Sequence, residues 1–321
     1  MAEAAEFFRQ CAFSVALLFS LCGLIAIPFL TWLAIRRLAP GILSMSEDAA
    51  WQAPLAAIAA ATPGATFLVL AIVGLLGASS AGCLNYVWGR ILFGAVLLLL
   101  LLSLLRAVRR ISGHAAEVRR LIERSHDANP SVDAVAARCR VRVRVLDYSG
   151  PFCALVGFWR PMVLISTSTL ARLKDPELEA ALRHERAHAV RCDLALAAAL
   201  GFFAKLLPLP VTDLVEAYAS AREMAADKRA VQECAPEALA HAILAAGTQG
   251  PTMTAAALAG DMRLVRRRII TLLRENDRPV NPYGRRIATT ALLAAVLLAS
   301  TMPALLGILN CHACIMSGIH V

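Results

Sequence analysis

The sequence predicts an α+β integral membrane protein in which four transmembrane helices accompany a mainly helical domain with a small β-sheet. The first reason is composition, since 59% of the 321 residues are hydrophobic, 17% are charged and the mean hydropathy is +0.64. The second is that four apolar segments approach the roughly 20 residues that a helix needs to cross a bilayer. The third is a more polar region before the last segment, which combines helical periodicity with short strand-like stretches.

The predicted spans also set the domain boundaries. They lie near Phe13–Ile35, Thr66–Gly82, Ile91–Leu105 and Ile287–Leu309. The first could be a signal peptide, but it is long, ends in Arg36-Arg37 and lacks a small-residue cleavage site, so we interpret it as a retained span. The chain then divides into a three-span membrane region (1–110), a more polar domain (111–286), a fourth transmembrane helix (287–309) and a short tail (310–321).

Basic residues flank the predicted spans on one side of the membrane. Arg36 and Arg37 follow the first span, Arg106, Arg109 and Arg110 follow the third, and Arg285 and Arg286 precede the fourth. The positive-inside rule therefore predicts a multi-pass cell-membrane protein with both termini outside and residues 111–286 in the cytoplasm. The net charge of +9 then reflects topology and attraction to the lipid bilayer. We interpret Arg266–Arg268 as a solvated or membrane-facing patch and expect no direct nucleic-acid binding.

The segment His184–His188 reads HERAH within a run of helical character. Residues four apart share one face of a helix, so His184 and His188 can offer two imidazole nitrogens to one metal ion. Glu185 lies beside them, placed to take a proton from the attacking water. Asp175-Pro176 predicts the helix start, with Asp175 as the N-cap and Pro176 as the first helical residue. The alternative is a surface helix that carries two histidines by chance.

A third ligand is expected from a second helix-forming stretch that contains Glu223 and Asp227. These two carboxylates are four residues apart and share a face, so Glu223 can bind the metal while Asp227 orients a histidine. The alternative is that both are solvated, or pair with Arg222 and Lys228. Asp193 is a further candidate for orienting a histidine, or else a cap of the next helix.

Other candidates for these roles stay open at this point. Glu216 and His241 are weaker contenders for the third ligand, and Tyr218 and His241 are both possible for stabilising the oxyanion. A fifth apolar run, Leu194–Pro210, contains Lys205, which costs roughly 2.5 to 3.5 kcal/mol inside a membrane. If that run crossed the bilayer once, Glu223 could not reach the two histidines. We therefore interpret it as a buried or re-entrant helix.

Short strands are predicted before the HERAH helix. Val141–Val145 alternates apolar and basic residues, and Phe152–Phe158 and Met162–Ser166 flank a Trp-Arg-Pro turn, which is typical of a hairpin. The edge of such a sheet can align an extended substrate by main-chain pairing. The alternative is a sheet with a purely structural role.

These motifs together resemble the membrane metallopeptidases of the beta-lactam sensor-transducers, the BlaR/MecR type. The resemblance covers roughly residues 140 to 285 and rests on HERAH followed by Arg191 and Asp193, then the Glu223–Asp227 segment EMAAD, and on the upstream segment PFCALVGFWRPMVLIS. It implies a zincin-like metallopeptidase domain of the HExxH gluzincin type. By that resemblance His184, His188 and Glu223 are the ligands of Zn²⁺ and Glu185 is the catalytic base.

The resemblance implies a membrane-bound zinc endopeptidase that acts on the cytoplasmic side. It would act in signal transduction by cleaving a transcriptional repressor or itself, with a protein or peptide substrate and a small DNA-binding repressor as partners. Two alternatives stay open: an HtpX-like quality-control protease, and a non-catalytic signalling protein stabilised by zinc. The sequence ends at Val321, so we expect no penicillin-binding sensor domain. Cys311, His312 and Cys314 in the tail could sense metal or redox state, or be inert.

The predicted topology has a direct test. A reporter that is active only in the cytoplasm should work when fused after Arg120 or Gln249 and fail when fused after Val321, because the basic flanks place residues 111–286 inside. Reporter activity at Val321 with none at Gln249 would overturn both the orientation and the interpretation of Leu194–Pro210.

Overall fold

The computed structural model describes residues 26–41, 43, 49–80, 87–157, 160–206, 209–246 and 262–273. Four of the sequence predictions concern residues outside these ranges: most of the first span, the fourth span Ile287–Leu309, the pair Arg285-Arg286, and the tail with Cys311, His312 and Cys314. They stay predictions.

The described residues form a mainly helical protein with a small mixed sheet, which confirms the α+β class. The helices are α1 (residues 26–41), α2 (Ala49–Ser80), α3 (Val87–Glu123), α4 (Pro130–Cys139), α5 (Thr167–Leu170), α6 (Asp175–Val190), α7 (Asp193–Phe203), α8 (Thr212–Ala230), α9 (Pro236–Ala246) and α10 (Met262–Leu273). The strands are β1 (Ser125–Asp127), β2 (Val143–Leu146), β3 (Cys153–Val156) and β4 (Met162–Ser166).

The four strands form one sheet in the order β1-β2-β4-β3, with β3 at an edge. Strands β3 and β4 pair antiparallel, with Cys153 opposite Ile165, and this pairing confirms the predicted hairpin. Strands β2 and β4 pair parallel. Buried Val145 and Ile165 pack with Leu178 and Leu182 of α6, so the sheet covers one side of the helix that carries the HERAH motif.

Helix α6 begins one residue earlier than the sequence predicts. Lys174 is the N-cap, and Asp175 and Pro176 are the first two helical residues, so the prediction of Asp175 as the cap was wrong. The main-chain N–H of Lys174 donates to the Glu177 carboxylate at 2.9 Å. Glu177 lies three residues after the cap and reaches back to it, so the helix start needs no side-chain acceptor at the cap itself.

One helix in the described part of the chain is long and apolar enough to cross a membrane, and it covers Trp51–Ile72 within α2. It begins 15 residues earlier than the predicted span Thr66–Gly82 because the alanine-rich turns from Ala53 onward continue the apolar helix without a break. The predicted third span, Ile91–Leu105, lies within α3, where the apolar stretch Phe93–Arg106 is shorter than a span. The four-span count stays a prediction.

Helix α2 packs along α7 and α8 through small side chains. Ala53, Ala56 and Ala60 are buried against Leu214 and Tyr218 of α8. Helix α7 has 11 residues, about 16 Å at 1.5 Å per residue, which is too short to cross a bilayer core of about 30 Å. Its length agrees with the interpretation of Leu194–Pro210 as a run that does not span the membrane.

Helices α2 and α7 approach each other closely at Gly64. A Cβ atom added there would lie 2.0 Å from the main-chain oxygen of Phe203, whereas a Cβ atom at Gly94 of α3 would meet nothing within 4 Å. Gly64→Ala should therefore destabilise the fold by roughly 1–3 kcal/mol through overpacking. Gly94→Ala should be neutral or stabilising by up to about 1 kcal/mol, since alanine is the better helix former.

Thermal unfolding of the two variants in the same detergent, followed by circular dichroism, measures the difference. If Gly64→Ala unfolds at the wild-type temperature, α2 does not approach the end of α7 as closely as described.

Candidate metal centre

Two helices bring three potential metal ligands together. His184 and His188 lie one turn apart on the buried face of α6, with their Nε2 atoms 3.1 Å apart. From α8, Glu223 places Oε2 3.4 Å from His184 Nε2 and Oε1 3.6 Å from His188 Nε2. One ligand atom from each residue lies within 4.8 Å of the others. Two imidazole nitrogens and one carboxylate form a common donor set of catalytic zinc sites, which keep a fourth position open.

Small side chains allow α6 and α8 to approach each other closely. Ala180 of α6 and Ala230 of α8 are fully buried in one cluster with residues of α9 and α10, and Ala226 of α8 is also fully buried. Glu223 and Asp227 project from the same face of α8 because they are one turn apart. The Glu223 side chain therefore reaches both histidines directly across the contact between α6 and α8.

A carboxylate lies against the second ring nitrogen of each histidine. Asp193 Oδ2 hydrogen-bonds His188 Nδ1 at 2.7 Å. Asp227 Oδ1 lies 2.9 Å from His184 Nδ1, but without hydrogen-bond alignment, so this buried nitrogen has no hydrogen-bond partner. Both contacts leave Nε2 directed at the shared site, which is the usual arrangement of metal-binding histidines. The donor set of two Nε2 atoms and the Glu223 carboxylate fits a bound metal ion.

A hydrogen bond joins the side chain of Glu185 to β3, an edge strand of the sheet. The Glu185 side chain is buried, and Oε2 accepts a hydrogen bond of 2.7 Å from the main-chain N–H of Leu155 on β3. Leu155 was not among the residues singled out from the sequence. Its role comes from a main-chain group, and the side-chain pattern carries no signal for such a contact. The hydrogen bond holds the carboxylate of Glu185 between α6 and the sheet edge.

Two arginines contact the acidic side of the site. Arg222 donates from Nη2 to Glu223 Oε1 at 2.8 Å, so Glu223 both faces the histidines and forms the Arg222 pair that was its alternative. Arg268 of α10 donates to both oxygens of Asp227, from Nε and from Nη2, each at 2.7 Å. Its Nη1 lies 3.2 Å from Glu223 Oε2.

The interpretation of Arg266–Arg268 as a solvated patch was wrong for Arg268. Arg266 and Arg267 are exposed, whereas Arg268 is only 9% exposed. Arg268 lies three and four residues after buried Val265 and Leu264, so the three share one helix face. That periodicity was the signal that could have separated it from its neighbours.

The remaining candidates lie apart from the ligand cluster. His241 is largely exposed and pairs with Glu177 at 3.3 Å, and Glu216 is exposed on α8, so neither is part of the cluster. Tyr218 is buried, and its hydroxyl donates to the main-chain oxygen of Asp193 at 3.4 Å. The structure therefore brings together His184, His188 and Glu223, with Asp193 and Asp227 behind the rings.

The charges of the cluster are strongly coupled. Burial by itself lowers the pKa of His184, but the neighbouring Asp227 and Glu223 carboxylates outweigh it and raise that pKa to about 9. Burial would raise the pKa of Glu223, but the two histidines and Arg222 bring it well below its ordinary value. Without a metal ion, the site at neutral pH therefore holds an ionised Glu223 beside a protonated His184.

A buried pair of histidines and a glutamate, presented by two packed helices beside a small mixed sheet, is the architecture of a metallopeptidase. Comparison with known families agrees, since residues 81–272, more than half of the chain, match the BlaR1 peptidase M56 family. The chain belongs to this family of membrane-associated metallopeptidases, which confirms the resemblance to the BlaR/MecR type. A search of the curated proteins found no match.

Metal binding should release protons at neutral pH. His184, with its pKa raised to about 9, is protonated at pH 7 in the metal-free protein, and a metal requires the neutral imidazole. We expect release of roughly one or two protons per metal ion at pH 7, with the share from His184 vanishing as the pH rises through its pKa. Calorimetric titration in buffers of different ionisation enthalpy measures this release.

The double variant His184→Ala, His188→Ala is the control and should retain no metal by elemental analysis. Full metal retention in that variant contradicts the proposed ligands, whereas equal proton release at pH 7 and at a pH above the His184 pKa contradicts the raised pKa of His184.

Proposed function

We propose that this protein is a membrane-bound zinc endopeptidase in which His184, His188 and Glu223 hold the metal and Glu185 is the general base. The observation that carries the proposal is the convergence of three buried ligand atoms within 4.8 Å, next to a carboxylate that the sheet edge holds in place. A zinc ion bound there supplies Lewis-acid polarisation of the substrate carbonyl and lowers the pKa of water to about 7.

The hydrogen bond from Leu155 distinguishes the two oxygens of Glu185. Oε2 accepts the main-chain N–H of Leu155, and Oε1, which does not share this contact, takes the proton of the attacking water. Glu185 then returns that proton to the leaving amine, as a general base that becomes a general acid. Asp193 and Asp227 keep each histidine turned so that Nε2 faces the site.

The position of β3 supports an extended peptide as the substrate. Strand β3 is at the edge of the sheet, and Leu155 N–H points to Glu185 rather than to β4. A peptide that lies along the outer edge of β3, beside Leu155, would run directly past the catalytic carboxylate. This arrangement favours cleavage within a chain, the endopeptidase reaction, on a protein or peptide substrate.

We also propose a membrane topology and a biological role for this site. The site lies on the cytoplasmic side of a four-span protein with both termini outside, within a domain over residues 111–286. There it acts in signal transduction by cleaving a small DNA-binding repressor or the chain itself. The family membership supports this role, as does the packing of α2, the span candidate, on the helix that carries Glu223.

Two substitutions separate catalysis from metal binding. Glu185→Gln should keep the metal, because Glu185 is not a ligand, but lower peptide cleavage by about 100- to 10,000-fold, because an amide cannot accept the proton. Glu223→Gln should weaken both metal binding and cleavage, since it removes the ligand's charge. Elemental analysis and fragment formation on gels measure the two effects.

Glu216→Gln, an exposed substitution on the same helix as Glu223, is the matched control and should change neither quantity. Wild-type cleavage by Glu185→Gln would refute the mechanism, and full metal affinity in Glu223→Gln would remove it from the ligand set. Proteomic comparison of wild type with Glu185→Gln then identifies the substrate: one accumulating protein supports signalling, whereas many support the quality-control alternative.

A further inference from the structure

We infer that Arg268 is a positioning residue of the metal centre, and that α10 is therefore a further helix of the site. The inference rests on the proposed function, because it takes His184, His188 and Glu223 as the ligands. Arg268 contacts the carboxylate behind one ligand and lies beside two of the ligand atoms themselves.

Arg268 anchors Asp227. This carboxylate is only 3% exposed, and its contact with His184 lacks hydrogen-bond alignment. A buried carboxylate is costly unless it is paired and hydrogen-bonded. The two bonds of 2.7 Å from Arg268 satisfy both of its oxygens. Arg268 thereby fixes Asp227 where it faces His184 Nδ1, and so fixes the direction in which His184 Nε2 points.

Arg268 also balances the negative charges of two carboxylates on α8. Glu223 and Asp227 are one turn apart on the same face, and like charges at this spacing repel each other. Arg268 lies between them, bonded to Asp227 and 3.2 Å from Glu223 Oε2. One guanidinium therefore holds both carboxylates in place. Lysine could not replace it, because a single ammonium group lacks the planar fork that binds two oxygens at once.

The contacts of Arg268 also bear on whether its guanidinium occupies the metal position. Arg268 Nη2 also lies 3.5 Å from His184 Nε2, so the guanidinium could be thought to occupy the metal position. Its shortest contacts, however, are the two bonds to Asp227, which lies on the Nδ1 side of the ring. The contacts with the ligand atoms of His184 and Glu223 are both longer. Arg268 thus borders the space between the ligand atoms rather than filling it.

The test measures metal binding directly, by competition of the full-length protein with a chromophoric chelator for Zn²⁺, and by the visible spectrum of the Co²⁺ form. Arg268→Met should lower the affinity about 10- to 100-fold, as is typical when a partner behind a metal ligand is lost. Its Co²⁺ spectrum should shift, because the ligand geometry changes. Arg268→Lys should recover only part of the affinity. Arg266→Met, an exposed substitution on the same helix, should match the wild type.

A double-variant cycle tests whether Arg268 acts through Asp227. If it does, Asp227→Asn combined with Arg268→Met should lose less affinity than the product of the two single losses. Thermal unfolding of the metal-free proteins shows whether Arg268→Met folds. If it does not, the metal affinity of Arg268→Lys, compared with that of Arg266→Met, tests the inference. Tighter binding by Arg268→Met, or a variant equal to Arg266→Met, overturns the inference.

These outcomes are distinct from failure of the proposed function. If the wild type binds no metal, or if His184→Ala binds it as tightly as the wild type, the ligand set itself is wrong. If the wild type binds metal and His184→Ala does not, the ligand set stands, and the Arg268 variants alone decide whether α10 belongs to the site.

Discussion

The burial of opposite charges between α6 and α8 is the constraint on which the rest of the site depends. Glu223 and Asp227 on one helix face His184 and His188 on the other, and all four side chains are less than a tenth exposed. Buried charges are stable only when they are paired and hydrogen-bonded, and removal of one partner leaves the other uncompensated. Asp193, Arg222 and Arg268 provide the required partners, so the charges of the cluster are paired without a metal ion.

Helix α8 connects this cluster to the candidate membrane helix. Its N-terminal half, with Leu214 and Tyr218, packs on the alanines of α2, and its C-terminal half carries Glu223 and Asp227. Small side chains let the two helices approach closely. One continuous helix therefore contacts both the candidate membrane helix and the two histidines.

The errors in the sequence interpretation have specific causes. Arg268 was grouped with Arg266 and Arg267 because three adjacent basic residues are usually solvated, yet only one of them falls on the buried face of α10. Asp175 has a side chain suited to an N-cap. The Glu177 carboxylate, however, accepts the main-chain N–H of Lys174, so Lys174 is the N-cap and the helix begins at Asp175. In each case the sequence contained the deciding pattern, the burial periodicity of α10 or the glutamate three residues after Lys174, but a more familiar pattern was given precedence.

The sequence by itself determined the features that depend on local periodicity. The four-residue spacing aligns His184 with His188 and Glu223 with Asp227, and a turn between two apolar runs predicts the β3–β4 hairpin. Only the tertiary structure decided which elements meet: that α8 brings Glu223 to the histidines, that Leu155 N–H binds Glu185, and that α10 contributes Arg268. The physical reason is that desolvation and pairing act between segments far apart in the chain, and no local pattern records which partners they select.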